Sequence, residues 1–143
     1  LAFRRGGCYA CHRVGEEGGG AGPDLTDAGG RFTPRDLLVS ILEPSRDVSD
    51  QYRDSEVWTH DGDVVVGRLI EESDEWVTVQ LPPTVAGGSD GELVDVPREE
   101  VKLLRPRPTS RMPQGTLDGL QREEILEMLA WLLEEKRCAG RRS

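Results

Sequence analysis

Three scarce, reactive residue types crowd into the run Cys8-Tyr9-Ala10-Cys11-His12. In a helix or helical turn, residues three apart share a face, so Cys8 and Cys11 are expected to point the same way. Two thiols so placed can form thioethers with the two vinyl groups on one porphyrin edge. The adjacent His12 can then offer an imidazole nitrogen to the iron. The spacing C-x-x-C-H is the attachment signature of c-type haem. One covalently bound haem c is the expected cofactor, held by Cys8 and Cys11 with His12 as a metal ligand.

Two other chemistries use the same residue types. A thioredoxin-like redox pair follows a strand in a βαβ unit, and no strand pattern precedes Cys8. A zinc site could take Cys8, Cys11 and His12, with His60 or Cys138 as a fourth ligand. Adjacent ligands at positions 11 and 12 make a poor tetrahedral clamp, however, and no second CxxC or HxxxH knuckle follows. Cys138, in a polar C-terminal tail, is assigned no role.

Haem iron takes a sixth ligand or leaves an open site. Met128 lies in an apolar helical stripe, where methionine is ordinarily core filler. His60 stands beside Asp61-Gly62, a hairpin-turn signal that predicts a solvated side chain. Met112 lies in Ser110-Arg111-Met112-Pro113, and the proline disposes it to an extended backbone from which a thioether can project. Met112 is the expected second metal ligand. A ligating histidine donates its other ring N–H to a nearby acceptor, and the Pro23 carbonyl in Gly22-Pro23-Asp24-Leu25 could be that acceptor. Pro23 and Leu25 are expected to flank the cofactor, and Trp131 to pack on the haem-bearing helix. Arg13, Arg31 and Arg111 are candidate partners for haem propionates.

The elements that must position these residues follow from patterning. A short helix from Leu1 to about Val14 carries the cysteines, and the glycine-dense segment from Gly15 to Gly30 reads as loop. Thr33-Pro34 opens a second helix with apolar Leu37, Leu38, Ile41 and Leu42, stopped by Pro44. Residues 53–107 change character: five β-branched runs, separated by turn signals such as Asp61-Gly62 and Ser73-Asp74, predict four or five antiparallel strands. Thr84–Gly91 reads as a flexible turn. Gln121–Arg137 is a final amphipathic helix, with Glu123 and Glu124 in its first turn and Lys136 and Arg137 in its last.

CYACH, then GPDL, a helix ending LEPS, and SRMP ahead of a terminal amphipathic helix together resemble a class I cytochrome c. That resemblance implies a mainly α fold of three to four helices around haem, with His12, Pro23 and Met112 as proximal ligand, its acceptor and distal ligand. The spacing from His12 to Met112 is far longer than in a minimal member. The expected organisation is a discontinuous core of residues 1–52 and 108–137, an inserted small antiparallel β-barrel or sheet over 53–107, and a polar tail at 138–143. This split form is similar to predicted haem-binding domains at the C-terminus of large putative periplasmic dehydrogenases.

The implied role is single-electron transfer between redox protein partners, outside the cytoplasm, by a carrier rather than an enzyme. A periplasmic or extracellular site follows because haem is attached covalently there. An alternative from another class is a haem-anchored interaction module whose β insertion docks it to a larger dehydrogenase or to copies of itself. An open-iron enzyme or gas sensor is a third. The net charge of −9 argues against nucleic-acid and anionic-membrane partners. No transmembrane segment is expected, since the longest apolar cluster is Ile125–Leu133. Hydrophobic residues at 36% and aromatics at 5% are a thin supply for a core, which a buried porphyrin would supplement.

Overall fold

The computed structural model describes residues 2–83 and 91–134, so Cys138, the tail and most of the Thr84–Gly91 turn lie outside the described residues. In chain order the elements are α1 (Ala2–Arg5), β1 (Arg13–Val14), β2 (Glu17–Gly18), α2 (Pro34–Leu42), β3 (Asp54–Thr59), β4 (Val64–Glu72), β5 (Trp76–Gln80), β6 (Leu93–Pro97), β7 (Val101–Pro106) and α3 (Arg122–Leu133). Two compact units result, one of residues 1–44 with 113–143 and one of residues 45–112.

The expectation of a mainly α fold is wrong. The three α-helices among the described residues have 4, 9 and 12 residues. Against them stands a five-stranded antiparallel sheet in the order β6-β5-β4-β3-β7, so the molecule is mixed in class. The physical reason lies at both ends. Gly6-Gly7 cuts the N-terminal helix to one turn, and β-branched valines with alternating burial commit the middle of the chain to strands. None of the helices is long and apolar enough to cross a membrane.

In the first unit, Phe3, Val14, Leu25, Ala28, Leu37, Leu117, Met128, Leu129 and Leu132 form one apolar core. Helix α2 begins at a reciprocal cap: Thr33 Oγ1 accepts from Asp36 N–H at 3.1 Å, and Asp36 accepts from Thr33 N–H at 3.3 Å. Thr33 also holds the Asp36 carboxyl below its usual range, chiefly through its hydroxyl. Helix α3 is entered the same way, with Gln121 N–H donating to Glu124 at 2.8 Å. A 3₁₀ turn at Ala28–Gly30 lies so close to the end of α3 that a Cβ on Gly29 would stand 2.1 Å from Leu133 O.

In the second unit, Val57, Val77, Val79 and Val96 make a separate core. The β3–β4 turn uses Gly62 at φ 94°, and Ser73 Oγ caps the β4–β5 turn by accepting from Trp76 N–H at 3.0 Å. A 3₁₀ turn at Arg98–Glu100 links β6 to β7. The sheet has two open edges, so no closed barrel forms among the described residues. The unit extends beyond 53–107 at both ends for a visible reason. Arg53 donates to Val48 O at 2.9 Å and to Arg107 O at 3.1 Å, and Ser110 N–H donates to Ser45 Oγ at 2.9 Å.

Leu132, 1% exposed at the centre of the first unit, should be costly to truncate. Leu132→Ala is expected to lose about 2–5 kcal/mol in denaturant unfolding followed by circular dichroism, and a loss under about 1 kcal/mol would contradict the packing described.

Candidate functional site

The cysteine segment is not the continuous helix that its pattern suggested. Helix α1 closes with Gly6 N–H on Ala2 O at 2.8 Å and Gly7 N–H on Arg4 O at 3.0 Å. Gly7 then takes φ 71°, a left-handed conformation open to glycine at little cost, and the chain re-enters a 3₁₀ turn over Cys8–Ala10. Cys8 O accepts from both Cys11 N–H at 3.2 Å and His12 N–H at 2.9 Å. Cys11 is the C-terminal cap of that turn, three residues after Cys8.

His12 is held by the loop that follows. Its Nδ1 stands 2.8 Å from Pro23 O; a carbonyl can only accept, so Nδ1 carries the proton and Nε2 keeps its lone pair. The loop is pressed onto the ring: a Cβ on Gly22 would lie 2.8 Å from His12 Cε1 and 3.0 Å from Nδ1. Gly22 N–H donates to Cys11 O at 2.8 Å and Leu25 N–H to Arg13 O at 2.8 Å, which ties the loop down on either side of Pro23. Asp24 closes a local turn by accepting from Thr26 N–H at 2.8 Å. Hydrogen bonds from Thr26, its hydroxyl first, hold the Asp24 carboxyl below the usual range.

Inside the segment expected to be plain loop, β1 and β2 form a two-residue-per-strand hairpin, with Arg13 opposite Gly18. Gly18 is required there, since a Cβ would stand 2.0 Å from His12 O. The sequence signal for this was present but indirect: Gly15 and Gly18, both at positive φ, bracket Glu16-Glu17.

Burial favours the neutral form of both kinds of ligand. It pushes the Cys8 thiol up, against a backbone hydrogen bond and with help from Cys11 beside it. It pushes the His12 imidazolium down, against the acceptor at Pro23. Cys8 thus lacks the lowered thiol pKa that thiol–disulfide exchange exploits, and His12 offers a neutral imidazole. Among the described residues no three His, Cys, Asp or Glu side chains gather as a metal-ion site.

No protein-family model and no curated protein matches the chain.

The remaining sequence-derived residues fall in both units. Leu25 is buried in the first core, and Met128 is buried there as well. Trp131 reaches the cysteine turn through an aromatic relay: its ring lies 5.5 Å from Phe3, which meets Tyr9 edge-on at 4.6 Å. A cleft of about 260 Å³ lined by Phe3, Met128 and Trp131 does not include Cys8, Cys11 or His12. Arg31 is engaged with Asp24 O and Arg111 with Asp54. His60 is exposed at the β3–β4 turn. Met112 is half-buried at the last position of the second unit.

The ring–loop contact makes a sharp prediction. Gly22→Ala should lower stability by about 1–3 kcal/mol in denaturant unfolding, because the added methyl has nowhere to go. Gly30→Ala, whose Cβ meets nothing within 4 Å, should leave the midpoint unchanged. Equal midpoints for both variants would show that Gly22 is not packed on the imidazole.

Proposed function

We propose that this chain is a single-haem c-type cytochrome that passes single electrons between redox protein partners in the periplasm or outside the cell. The observation that carries the reading is the His12 Nδ1–H bond to Pro23 O at 2.8 Å. It fixes one tautomer, orients the ring and leaves Nε2 as a free donor, which is what an axial ligand to iron requires. Cys8 and Cys11, both half-buried and three residues apart at a 3₁₀ turn and its cap, would supply the two thioethers to one porphyrin edge. The raised pKa of the Cys8 thiol is the reverse of what thiol–disulfide exchange uses. Met112 would complete the coordination, with Pro113 favouring an extended backbone at the ligand.

Bound haem c supplies a one-electron iron couple, and methionine opposite histidine raises its potential relative to two histidines. The chain's own part is positional. The 3₁₀ turn presents the cysteines, the Gly22-Pro23 loop holds the imidazole, and Leu25 and the aromatic relay supply apolar cover on that side. With His12 and Met112 both engaged, no open position remains for substrate, which separates a carrier from an open-iron enzyme.

A second reading, an interaction module worked by the β unit, has one observation in its favour. Val64, Trp58 and Leu103 are direct cross-strand neighbours on one face of β4, β3 and β7, and Val64 and Leu103 are 40% and 45% exposed. Sedimentation of the whole chain against its Leu103→Glu variant tests it: assembly lost in the variant supports docking through this row, and a native monomer sinks self-association there.

The principal test is spectroscopic. Protein made with haem attachment should keep its haem through acid extraction, and Cys8→Ala with Cys11→Ala should release it. The ferric form should show the weak near-infrared sulfur-to-iron band and no carbon monoxide binding when reduced. Met112→Ala should abolish the band and open the iron to carbon monoxide. A band that survives Met112→Ala would refute the axial assignment, and a chain that never acquires haem would refute the function.

A further inference from the structure

The second unit contains a buried ion pair that its valine core does not need. Asp54, the first residue of β3, is 4% exposed, and the Arg111 side chain is 11% exposed. Arg111 Nη2 donates to Asp54 Oδ1 at 2.6 Å and to Gln80 O at 3.0 Å, while Nε donates to Asp54 Oδ1 at 3.1 Å. Nη1 is buried with no hydrogen-bond partner among the described residues. Two charges taken out of water with one donor unsatisfied contribute little net stability.

What the pair fixes is the chain beside it. The planar guanidinium grips one carboxylate through two nitrogens and also a carbonyl on β5, so both its position and its orientation are set. Met112 follows directly. Its own N–H donates to Ser110 Oγ at 3.1 Å, and Ser110 N–H donates to Ser45 Oγ at 2.9 Å. Residues 110–112 are therefore pinned to β3, to β5 and to the start of the unit. A methionine side chain has three rotatable bonds and little rotameric identity, so the backbone beneath it must supply the precision.

We infer that Asp54 and Arg111 are positioning residues for the Met112 thioether, holding it in place as the sixth iron ligand. The inference rests on the reading of Met112 as a ligand given above. It makes the β unit a mount for the distal ligand. Lysine cannot replace Arg111, because a single ammonium reproduces neither the fork nor its orientation.

The test uses the whole ferric holoprotein and imidazole as a competing ligand. Asp54→Asn and Arg111→Lys should each weaken the sulfur-to-iron band and raise imidazole affinity about tenfold, since a less populated ligating conformation competes less well. Val57→Ala, which thins the same unit's core without touching the pair, should lower the denaturant midpoint yet keep imidazole affinity within about twofold of native. Native affinity and band in both Asp54→Asn and Arg111→Lys would overturn the inference while leaving Met112 as ligand. So would an affinity rise in Val57→Ala equal to theirs, because general loosening would then explain the effect. A band that persists in Met112→Ala overturns the ligand reading and this inference with it. Should Asp54→Asn fail to fold, Asp54→Leu with Arg111→Leu fills the space with apolar side chains, a swap buried pairs often tolerate. The same affinity rise is expected there, and native affinity overturns the inference.

Discussion

A carbonyl oxygen can only accept, and the contact of Pro23 O with His12 Nδ1 therefore decides which ring nitrogen carries the proton. Much of the first unit's local structure follows from bringing position 23 back onto position 12. The return path is short, so it is folded by a hairpin whose glycines at 15 and 18 adopt positive φ. Gly18 lies against His12 O and Gly22 against the ring, and neither tolerates a side chain. On either side of this glycine-lined contact stand Val14 and Leu25, both buried in the core. The polar bond and the apolar core are thus built by the same few residues, and the loop cannot shift without unpacking both.

That arrangement also explains why opposite pKa shifts occur side by side. A buried thiol resists ionising and a buried imidazole resists protonation, because each change would create a charge in a poorly solvated place. Cys8 and His12 are therefore both kept neutral near pH 7 by one cause. A redox-active cysteine pair needs the reverse environment, one that stabilises thiolate. The chemistry open to this turn is narrowed by burial as much as by the identity of its residues.

Much of this was legible in the chain itself, and the failures have identifiable causes. The Asp61-Gly62 and Ser73-Asp74 turns and the β-branched runs announced the sheet, and Thr33-Pro34 announced the start of α2. Patterning over 1–14 suggested one helix because Cys8 and Cys11 stand three residues apart, a helical spacing. The left-handed turn at Gly7 overrides that periodicity. The glycine-rich segment hid a hairpin because a glycine serves equally as slack or as clearance, and only the neighbouring His12 distinguishes them. The mainly α class was implied by the resemblance of CYACH, GPDL and SRMP to a class I cytochrome c, and those short motifs carry no information on the extent of the five-stranded sheet. The reach of the β unit back to Ser45 depends on Arg53 and Ser110 finding partners far along the chain, which no local pattern encodes.

On the proposed reading His12 and Met112 are two ligands a hundred residues apart, but the cost of closing a loop grows only slowly with its length. Residues 45–112 are moreover not a slack loop. They form a sheet with its own core, and the bond from Ser110 to Ser45 brings the entry and exit of that sheet together. A folded excursion whose ends meet makes the same demand on the surrounding chain as a tight turn, whatever its length. Pro44 and Pro113 mark its two junctions, and Pro44 stands just past the last residue of α2, Leu42. On the proposed reading the excursion does more than cost little: a short flexible turn could deliver a methionine, whereas a folded sheet with a buried guanidinium delivers it from a fixed backbone.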